Sequence, residues 1–430
     1  MDTCTLFVIG RGTELLPVSR HSVDSLFSLG TALIIAFDTF FLTKHFRNVG
    51  IYEYAKNLLQ EFGKIPSQDD SISIRYFVSP GYTDDWVGLE PQTNVCGAAD
   101  TTLLNHGRLW RLGLVTAAAH RLDADLIFTP SPNILPLGSI PVAVTIHDAM
   151  PKRLSAELVE RSRHLKAAAW VAAKLSQKII TDSERSKKDL IDIYDLPPDK
   201  VSVVYLGYDR NTFNSLSADF TAQQSLLKRL GIRRPYILHH GMVQLRKNLG
   251  RLICAYELLI EKRRDLDLQL VLAGPLGMGS EQIRQRSDKQ VQNGKVIFTG
   301  TLDSEDLAML IKGASLSVIP SLYEGFCLPM VEAMACGVPT IVANSSCLPE
   351  VSGGVLRYFD PLSEEDMAIT IEDVLDHSEL QEELARRGLQ RASEFSWRRC
   401  AEETLMVLTG AKSSNPINSG VGSQVEVGGR

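Results

Sequence analysis

The stretch Ser321–Val351, SLYEGFCLPMVEAMACGVPTIVANSSCLPEV, constrains the fold more than any other part of the chain. Pro329 fits the first position of a helix, where its fixed φ and missing N–H cost nothing. Gly337 is predicted to end this helix, and the β-branched run Thr340–Ala343 predicts a buried strand. A loop that leads into a helix and then into a buried strand is the order expected of a ligand loop in an α/β domain.

Two acidic residues belong to this loop and helix. Glu324 lies in the loop, and Glu332 is predicted to fall in the first helical turn. Because helical side chains lean back toward the N-terminus, both carboxylates are expected to face one cavity. Free loop N–H groups suit phosphate oxygens, and a carboxylate accepts two bonds from a vicinal diol, so a nucleotide-sugar would fit. A solvated loop acid and a first-turn acid favoured by the helix dipole would give the same pair, so the acids alone leave both interpretations open.

The residues around the two acids extend the pattern to E-G-F-x-L-P-x-x-E-A-M-A-x-G-x-P. It resembles the E-x7-E signature of the family-4 retaining glycosyltransferases, and the spacing from Glu324 to Glu332 matches. The resemblance implies an α/β protein of GT-B architecture, with two Rossmann-like domains, a cleft between them and a C-terminal helix that crosses back. It also implies that Glu324 contacts the donor sugar and is catalytic, and that Glu332 holds the ribose hydroxyls. Sugar and diphosphate would be bound by the loop at Gly325, Phe326, Cys327 and Leu328.

The composition narrows the class of protein. The chain has 430 residues, of which 44% are apolar, and a formal net charge of −6 at pH 7. These values indicate an ordinary soluble globular protein of two domains and argue against a general nucleic-acid binder. The seven cysteines show no C-x-x-C spacing, so no disulfide framework or zinc site is predicted and a reducing cytoplasm fits. The apolar run 26–42 is interrupted and too short for a membrane span, and residues 1–30 lack the pattern of a secretory signal.

The order of strands, helices and glycine loops predicts five segments. Residues 1–30 are an unassigned N-terminal arm, and 31–210 form an N-terminal Rossmann-like acceptor domain. Residues 235–394 form a C-terminal Rossmann-like nucleotide-sugar domain, followed by a cross-over helix at 395–410. Residues 411–430, rich in Ser, Gly and Asn, are predicted to be a disordered tail.

The first domain opens with a buried strand, Ala32–Phe37, then a loop with Gly50 and a helix, which is a Rossmann-type opening. By resemblance, Gly50 approaches the reaction centre and helps to position acceptor or donor. A later strand, Ile140–Ile146, leads into His147. The segment TIHDAMP matches one in the family whose histidine faces the donor sugar near the reacting carbon. A structural histidine would also suit this position, so the catalytic assignment depends on the strand end and on the resemblance.

The second domain begins with YILHHG, a strand that ends at Gly241, a donor-binding position by resemblance. Arg246 and Lys247 stand just before a helix that Asn248 is predicted to cap. Because the helix dipole opposes cations there, their placement favours an anion between them and the helix. By resemblance, the pair binds the donor diphosphate and assists catalysis. Many family members have an arginine where this chain has Met242, which leaves the diphosphate more dependent on the pair.

Two further motifs concern the nucleobase and metals. The strand Val296–Thr299 ends at Gly300, and by resemblance this end, with Thr299, lies near the nucleobase. Asp123-Ala-Asp125 mimics the D-x-D metal motif of the other large glycosyltransferase fold. It precedes its strand and is therefore interpreted as a solvated turn. No metal and no cofactor are expected, and the substrate is a GDP- or UDP-sugar.

Residues 152–178 are predicted to form a long helix with an excess of Lys and Arg. Such a face is usually solvated, but Trp170, Val171 and Leu175 would permit contact with a membrane surface. Both interpretations stay open. The protein is expected in the cytoplasm, where peripheral contact with the inner face of the membrane is the second interpretation.

The predicted function is transfer of a hexosyl unit, of mannose or glucose type, from GDP-mannose or a UDP-hexose to a polysaccharide or lipid-linked acceptor. The family implies retention of configuration, and the cationic pair would replace a metal. No residue is identified as a covalent nucleophile, so front-face attack is favoured. A sugar-nucleotide epimerase of the same architecture would share the nucleotide pocket but needs acid–base residues. A non-catalytic scaffold that binds sugar nucleotides is the third alternative, although it would not need all the chemistries of Glu324, Glu332, Arg246, Lys247 and His147.

Overall fold

The computed structural model of the protein describes residues 33–39, 42, 50–65, 72–76, 115–132, 134, 138–149, 163–216 and 218–410. Within these residues, strands form two six-stranded sheets, and described helices lie between most successive strands. The predicted arm 1–30 and tail 411–430 lie outside the described residues. The exact domain boundaries stay a prediction.

The first sheet has the order β2-β1-β3-β4-β5-β6, and every described pair in it is parallel. Its apolar runs become strands because helices cover both faces of a parallel sheet. The direction of strand addition changes between β1 and β3. The strands are β1 (Leu33–Phe37), β2 (Ile72–Tyr76), β3 (Leu126–Thr129), β4 (Val142–Thr145), β5 (Lys178–Thr181) and β6 (Val201–Val203).

The second sheet has the order β12-β11-β10-β7-β8-β9 and is also parallel. This is the Rossmann order, in which the first and fourth strands lie side by side and ligands bind beyond their carboxyl ends. Here those strands are β7 and β10. The strands are β7 (Tyr236–His240), β8 (Gln269–Ala273), β9 (Val296–Gly300), β10 (Leu316–Ile319), β11 (Thr340–Ala343) and β12 (Arg357–Phe359).

The described helices follow the predicted apolar periodicity. The predicted helix after Asn248, for example, buries Leu249, Leu252, Ile253 and Tyr256 on one face. The helices are α1 (Gly50–Lys64), α2 (Val115–Arg121), α3 (Arg163–Leu175), α4 (Glu184–Tyr194), α5 (Phe220–Leu230), α6 (Leu249–Lys262), α7 (Ser280–Gln292), α8 (Ser304–Gly313), α9 (Leu328–Ala335), α10 (Leu348–Ser352), α11 (Glu364–Asp376), α12 (Ser378–Ala392) and α13 (Trp397–Thr409).

The prediction that Asn248 caps α6 is wrong. Asn248 precedes the helix but has a φ of 60°, and its side chain makes no capping hydrogen bond. Its amide nitrogen donates to the carbonyl of Pro361 at 2.7 Å, and its amide oxygen accepts from Arg251 at 3.1 Å. A tertiary contact has therefore replaced the local cap. Arg246 and Lys247 form a short 3-10 turn just before it.

The helix after the E-x7-E loop begins one residue earlier than predicted. α9 starts at Leu328, so Pro329 is its second residue and Glu332 lies in the second turn instead of the first. Proline is tolerated throughout the first helical turn, whose N–H groups have no partner within the helix, so it does not fix which residue begins the helix. Gly337 follows the helix with a φ of 72°, which confirms the predicted glycine end.

The basic helix is shorter than predicted. α3 ends at Leu175, and Lys178 begins the buried strand β5, while residues 152–162 lie outside the described part. Trp170 and Leu175 are 49% and 53% exposed on α3. Contact of this helix with a membrane stays a prediction. Among the described helices, none combines the length and the apolar character needed to cross a membrane.

The last described helix, α13, packs against α1 in the first half of the chain. The rings of Trp397 and Tyr54 lie 6.3 Å apart, and Arg398 donates to the carbonyl of Lys64 at 3.1 Å. The chain therefore returns to its first sheet after it completes the second, as the predicted GT-B architecture requires.

Candidate active site

The candidate site lies at the carboxyl ends of β7 and β10. Gly241 follows β7. Residues 321–327, between β10 and α9, form the 321–327 loop. Gly241 has a φ of 120°, and a Cβ there would lie 3.4 Å from Cγ of Pro329 and 4.0 Å from Nζ of Lys247. These distances are ordinary contacts, so the positive φ, which residues with a side chain rarely adopt, is what favours glycine at the end of β7.

Three charged residues form a nearly buried ion cluster in this crevice. Arg246 Nη1 lies 2.7 Å from Glu324 Oε2, and Lys247 Nζ lies 2.6 Å from Glu324 Oε1. Their side chains are 19%, 6% and 6% exposed in the order Arg246, Lys247, Glu324. Burial alone would raise the pKa of Glu324, but the two positive charges outweigh it and hold the pKa at about 2. The carboxylate is therefore ionised at neutral pH, and the cluster keeps one excess positive charge.

This cluster differs from the predicted division of roles. The sequence assigned Arg246 and Lys247 to the diphosphate and Glu324 to the sugar, but in the structure both cations contact Glu324. A diphosphate that binds both cations must share them with Glu324 or displace it. The assignment of each residue to a part of the donor stays a prediction.

Glu332 has a different partner. Its Oε2 lies 3.2 Å from Nε2 of His240, the last residue of β7. Glu324 and Glu332 thus belong to the same strand ends but pair with separate residues, the cations and the histidine respectively. That both carboxylates face one cavity stays a prediction.

His147 follows β4 in the first sheet and touches the 321–327 loop. Its Nδ1 lies 2.8 Å from Oδ2 of Asp182, and its Nε2 lies 3.2 Å from the carbonyl of Pro130. Both partners accept, so both ring nitrogens donate, as in an imidazolium. Burial acts to lower the pKa of His147, but the charge of Asp182 outweighs it and raises the pKa above the usual value. The ring nitrogens are thus engaged within the first half of the chain.

The backbone of His147 explains the glycine at position 325. A Cβ on Gly325 would lie 2.5 Å from the carbonyl oxygen of His147, a distance that side-chain carbons do not tolerate. Only a glycine lets the 321–327 loop pass this close to the first sheet. The catalytic role of His147 itself stays a prediction.

The start of α4 joins the first half of the chain to the 321–327 loop. Ser183 Oγ donates to the carbonyl of Gly325 at 2.7 Å, and Tyr323 OH donates to Asp189 Oδ2 at 2.8 Å. Glu350 accepts two N–H bonds from the first turn of α4, at 2.6 and 2.9 Å. A helix N-terminus favours such a carboxylate because its N–H groups carry partial positive charge. The loop that contains Glu324 is therefore held directly against the first sheet's half.

Other predicted site residues lie on the same edges of the sheets. Phe326 and Cys327 are buried, and burial raises the pKa of Cys327 to about 12. Thr299 precedes the last residue of β9, and its hydroxyl donates to the carbonyl of Gly300 at 2.9 Å. Gly50 begins α1, and a Cβ there would meet no atom within 4 Å. The nucleobase and reaction-centre roles of Thr299 and Gly50 stay predictions.

The Asp123-Ala-Asp125 segment is a turn, as predicted, but it is not simply solvated. Asp123 is exposed with a φ of 51°, whereas Asp125 accepts from the N–H of Ile34 at 2.8 Å and so ties the turn to β1. Among the described residues, no group of three or more His, Cys, Asp or Glu side chains is placed to hold a metal ion.

Sequence reasoning missed two residues at the carboxyl ends of parallel strands. Asp182 directly follows β5, and His240 is the last residue of β7. In the β4–β5 pair Thr145 lies opposite Ile180, so His147 and Asp182 each stand two residues beyond matched positions. Polar residues at neighbouring carboxyl ends were a usable signal for this contact. His240 directly precedes Gly241, which the sequence did identify as a site residue. Its partner, Glu332, belongs to α9, far along the chain, so no local pattern linked the two.

Two family models match the chain. The model of group 1 glycosyl transferases matches residues 224–391, which contain the ion cluster, and the model of glycosyltransferase family 4 matches residues 92–212. The chain is therefore similar to the group 1 glycosyl transferases over residues 224–391 and to glycosyltransferase family 4 over residues 92–212. This confirms the resemblance drawn from the E-x7-E pattern.

The curated relatives of this chain include several mannosyltransferases. O-antigen chain mannosyltransferase B of Escherichia coli is 30% identical over 246 residues, which cover 57% of this chain and 64% of that protein. The serotype-specific mannosyltransferase WbdA of Escherichia coli is 29% identical over 248 residues, which cover 56% of this chain and 30% of that protein. Mannosylfructose-phosphate synthase of Agrobacterium fabrum is 30% identical over 236 residues, which cover 51% of this chain and 50% of that protein. The chain thus spans less than two thirds of the length of each.

Solved structures confirm the GT-B fold. HepE of Anabaena, solved in complex with UDP and glucose, has a TM-score of 0.65 at 18% identity and covers 88% of this chain and 100% of its own. Sucrose-phosphate synthase of Thermosynechococcus elongatus has a TM-score of 0.65 at 18% identity, covering 88% of this chain and 98% of its own. At such low identity these likenesses concern the fold alone.

Proposed function

We propose that this chain transfers a mannosyl or glucosyl unit from a nucleoside-diphosphate sugar to a glycan or lipid-linked acceptor, with retention of configuration and without a metal ion. The observation that carries the proposal is the cluster of Arg246, Lys247 and Glu324 at the strand ends where Rossmann-ordered sheets bind nucleotides. Relatives named as mannosyltransferases favour mannose. HepE, solved with UDP and glucose, keeps a UDP-hexose as the second donor class.

In this proposal Arg246 and Lys247 bind the diphosphate and stabilise the charge that it gains as its bond to the sugar breaks. N–H groups of the 321–327 loop and the N-terminus of α9 add further donors. Because the two cations are largely shielded from water, their attraction for the leaving group is stronger than at a surface. The protein would thereby supply the positive charge that a metal ion supplies in other enzymes.

The two glutamates are assigned to the ribose and to the sugar of the donor. Glu332 accepts the ribose hydroxyls, and Glu324 lies beside the sugar ring, whose positive charge in the transition state favours a carboxylate nearby. The acceptor hydroxyl attacks the face from which the diphosphate leaves and passes its proton to an oxygen of the departing diphosphate, so the configuration is retained. The contacts of Ser183 and His147 with Gly325 support a role of the first sheet's half in holding the loop during this step.

As location we propose the cytoplasm. The five described cysteines are free thiols, which suits a reducing compartment. Contact with the inner face of a membrane through α3 is the finer form of this proposal, supported by the exposed Trp170 and Leu175.

The proposal is tested first by ligand binding and then by turnover. A thermal-shift panel of GDP-mannose, UDP-glucose and their nucleoside diphosphates should identify a ligand, since ~100 times Kd adds ~2.7 kcal/mol of stability. With that donor, release of nucleoside diphosphate should require an added acceptor glycan. Release of nucleoside diphosphate without sugar transfer would contradict the proposal, and isomerisation of the donor sugar without such release would favour an epimerase.

We expect turnover to persist in EDTA, because Arg246 and Lys247 provide the leaving-group charge. The measurement compares initial rates of nucleoside diphosphate release with EDTA, with Mg²⁺ and with Mn²⁺. A rate that falls in EDTA and returns with either ion would show that the reaction needs a metal.

A further inference from the structure

His240 is a buried histidine to which the proposed reaction assigns no role. It ends β7, is 1% exposed, and places Nε2 3.2 Å from Oε2 of Glu332. Within the described part of the chain, its other ring nitrogen, Nδ1, has no hydrogen-bond partner. The contact with Glu332 is therefore the only hydrogen bond that the described residues give this ring.

The direction of this hydrogen bond follows from the chemistry of its partners. An ionised carboxylate only accepts, so Nε2 of His240 carries the hydrogen. The backbone of His240 is fixed because it pairs with Ala273 of β8 in the interior of the second sheet. Glu332 has a long, flexible side chain that is 18% exposed. The hydrogen bond from the fixed His240 therefore restricts the side chain of Glu332.

We propose that His240 is a positioning residue, whose Nε2–H holds the carboxylate of Glu332 in the orientation that accepts the ribose hydroxyls of the donor. The inference rests on the proposed function, because it requires that Glu332 binds ribose. One hydrogen bond to Oε2 leaves Oε1 and the second lone pair of Oε2 for a vicinal diol. A carboxylate that is oriented beforehand loses less side-chain freedom when the ligand binds.

The adjacent His239 shows that burial at this strand end does not by itself create the contact. Successive side chains of a strand point to opposite faces, and His239 places Nδ1 3.0 Å from the carbonyl of Val318 in β10. Burial, together with the charge of Lys247, lowers the pKa of His239 to about 3, so this ring stays neutral. Of the two histidines, His240 is the one that meets α9.

The test compares nucleotides with and without ribose hydroxyls. Calorimetry measures the binding of UDP and GDP and of their 2′,3′-dideoxy forms to the wild-type protein and to His240→Leu, His240→Asn and His240→Gln. The amide nitrogen of glutamine can take the place of Nε2, whereas that of asparagine corresponds to Nδ1 and does not reach Glu332. We expect His240→Leu and His240→Asn to weaken the ribonucleotide about 3- to 10-fold, the worth of one hydrogen bond, and to leave the dideoxy form unchanged. His240→Gln should keep the wild-type preference.

Steady-state kinetics give a second readout. Loss of orientation should raise the donor KM and leave kcat unchanged, because the ribose does not change during the reaction. Equal weakening of the ribose and dideoxy ligands in His240→Leu, or no recovery in His240→Gln, would overturn the inference and leave His240 as a packing residue.

Glu332→Gln separates this inference from the proposed function. If Glu332→Gln loses the preference for ribose while His240→Leu keeps it, the inference on His240 is wrong and the proposed function stands. If the wild-type protein binds none of the nucleotides, the proposed function is wrong and the inference falls with it.

Discussion

Glu324→Gln is expected to lower kcat about 10- to 100-fold while it strengthens the binding of free nucleoside diphosphate about 3- to 10-fold. Both effects follow from the position of the carboxylate between Arg246 and Lys247, at 2.7 and 2.6 Å. Glutamine keeps the shape of the side chain but removes its charge, so the two cations no longer have a competitor for the diphosphate. The same change removes the negative charge that stabilises the sugar as it becomes positive in the transition state.

The low pKa of Glu324 predicts how the stability of the fold and kcat depend on pH. Because this pKa is about 2 in the folded protein and ~4.3 in an unfolded chain, the ionised carboxylate stabilises the fold fully above about pH 4.3. That contribution is lost as the pH falls from about 4.3 toward 2. The pH profile of kcat should therefore show no acidic limb from Glu324 above about pH 4, and Glu324→Gln should lose less stability over the acid range.

Glu382→Gln is the matched control for this variant, since Glu382 is an exposed acid on α12, away from the strand ends. The measurements are kcat with saturating donor, calorimetry of nucleoside diphosphate binding and circular dichroism. Removal of one partner from a buried ion pair costs ~3–5 kcal/mol. Without ligand, Glu324→Gln should therefore have a lower melting temperature than the wild type, and bound nucleoside diphosphate should raise that temperature more than it does in the wild type. An unchanged kcat would remove Glu324 from the reaction centre, and unchanged or weaker nucleotide binding would show that it does not compete for the cations.

The second large effect is expected at the cations. Arg246→Ala or Lys247→Ala should weaken the binding of the nucleoside diphosphate by ~1.5–3 kcal/mol, or about 10- to 150-fold, the range for hydrogen bonds to charged groups. Binding of the bare nucleoside should hardly change, because these side chains are assigned to phosphate. Met242, which directly follows Gly241, is uncharged, so Arg246 and Lys247 should carry a large share of the phosphate affinity.

Lys289→Ala serves as the control for charge alone, because Lys289 is an exposed cation on α7. Each cation variant leaves Glu324 with one fewer partner, so circular dichroism at the assay temperature must show an intact fold. Equal losses of affinity for the nucleoside and its diphosphate would mean that Arg246 and Lys247 do not bind phosphate.

Local patterns in the sequence were sufficient for the elements around the site. The run Thr340–Ala343 is a strand with the predicted bounds, and Gly337 ends α9 in the left-handed region. The apolar spacing after Asn248 predicts the buried face of α6. These features depend on neighbours within a few residues, and periodicity and backbone preference report such neighbours directly.

Local patterns failed where a distant residue altered a local choice. Asn248 was predicted to cap α6, but a hydrogen bond to Pro361, more than one hundred residues away, takes its side chain instead. Helix α9 begins one residue early, which moves Glu332 from the first turn to the second. The basic helix ends at Leu175, because the chain must extend from Lys178 to enter the first sheet.

The sequence by itself determined the GT-B fold and the resemblance to glycosyltransferases, because these depend on motifs and short-range patterns. It also proposed the site residues, whose roles stay predictions. The tertiary structure alone decided how those residues pair: Glu324 with Arg246 and Lys247, and Glu332 with His240. The physical reason is the strand order of the second sheet. β7 and β10 are separated by two strands along the chain but lie side by side in the sheet, so their carboxyl ends bring together side chains about eighty to ninety residues apart. No pattern of hydrophobicity within one segment contains that adjacency.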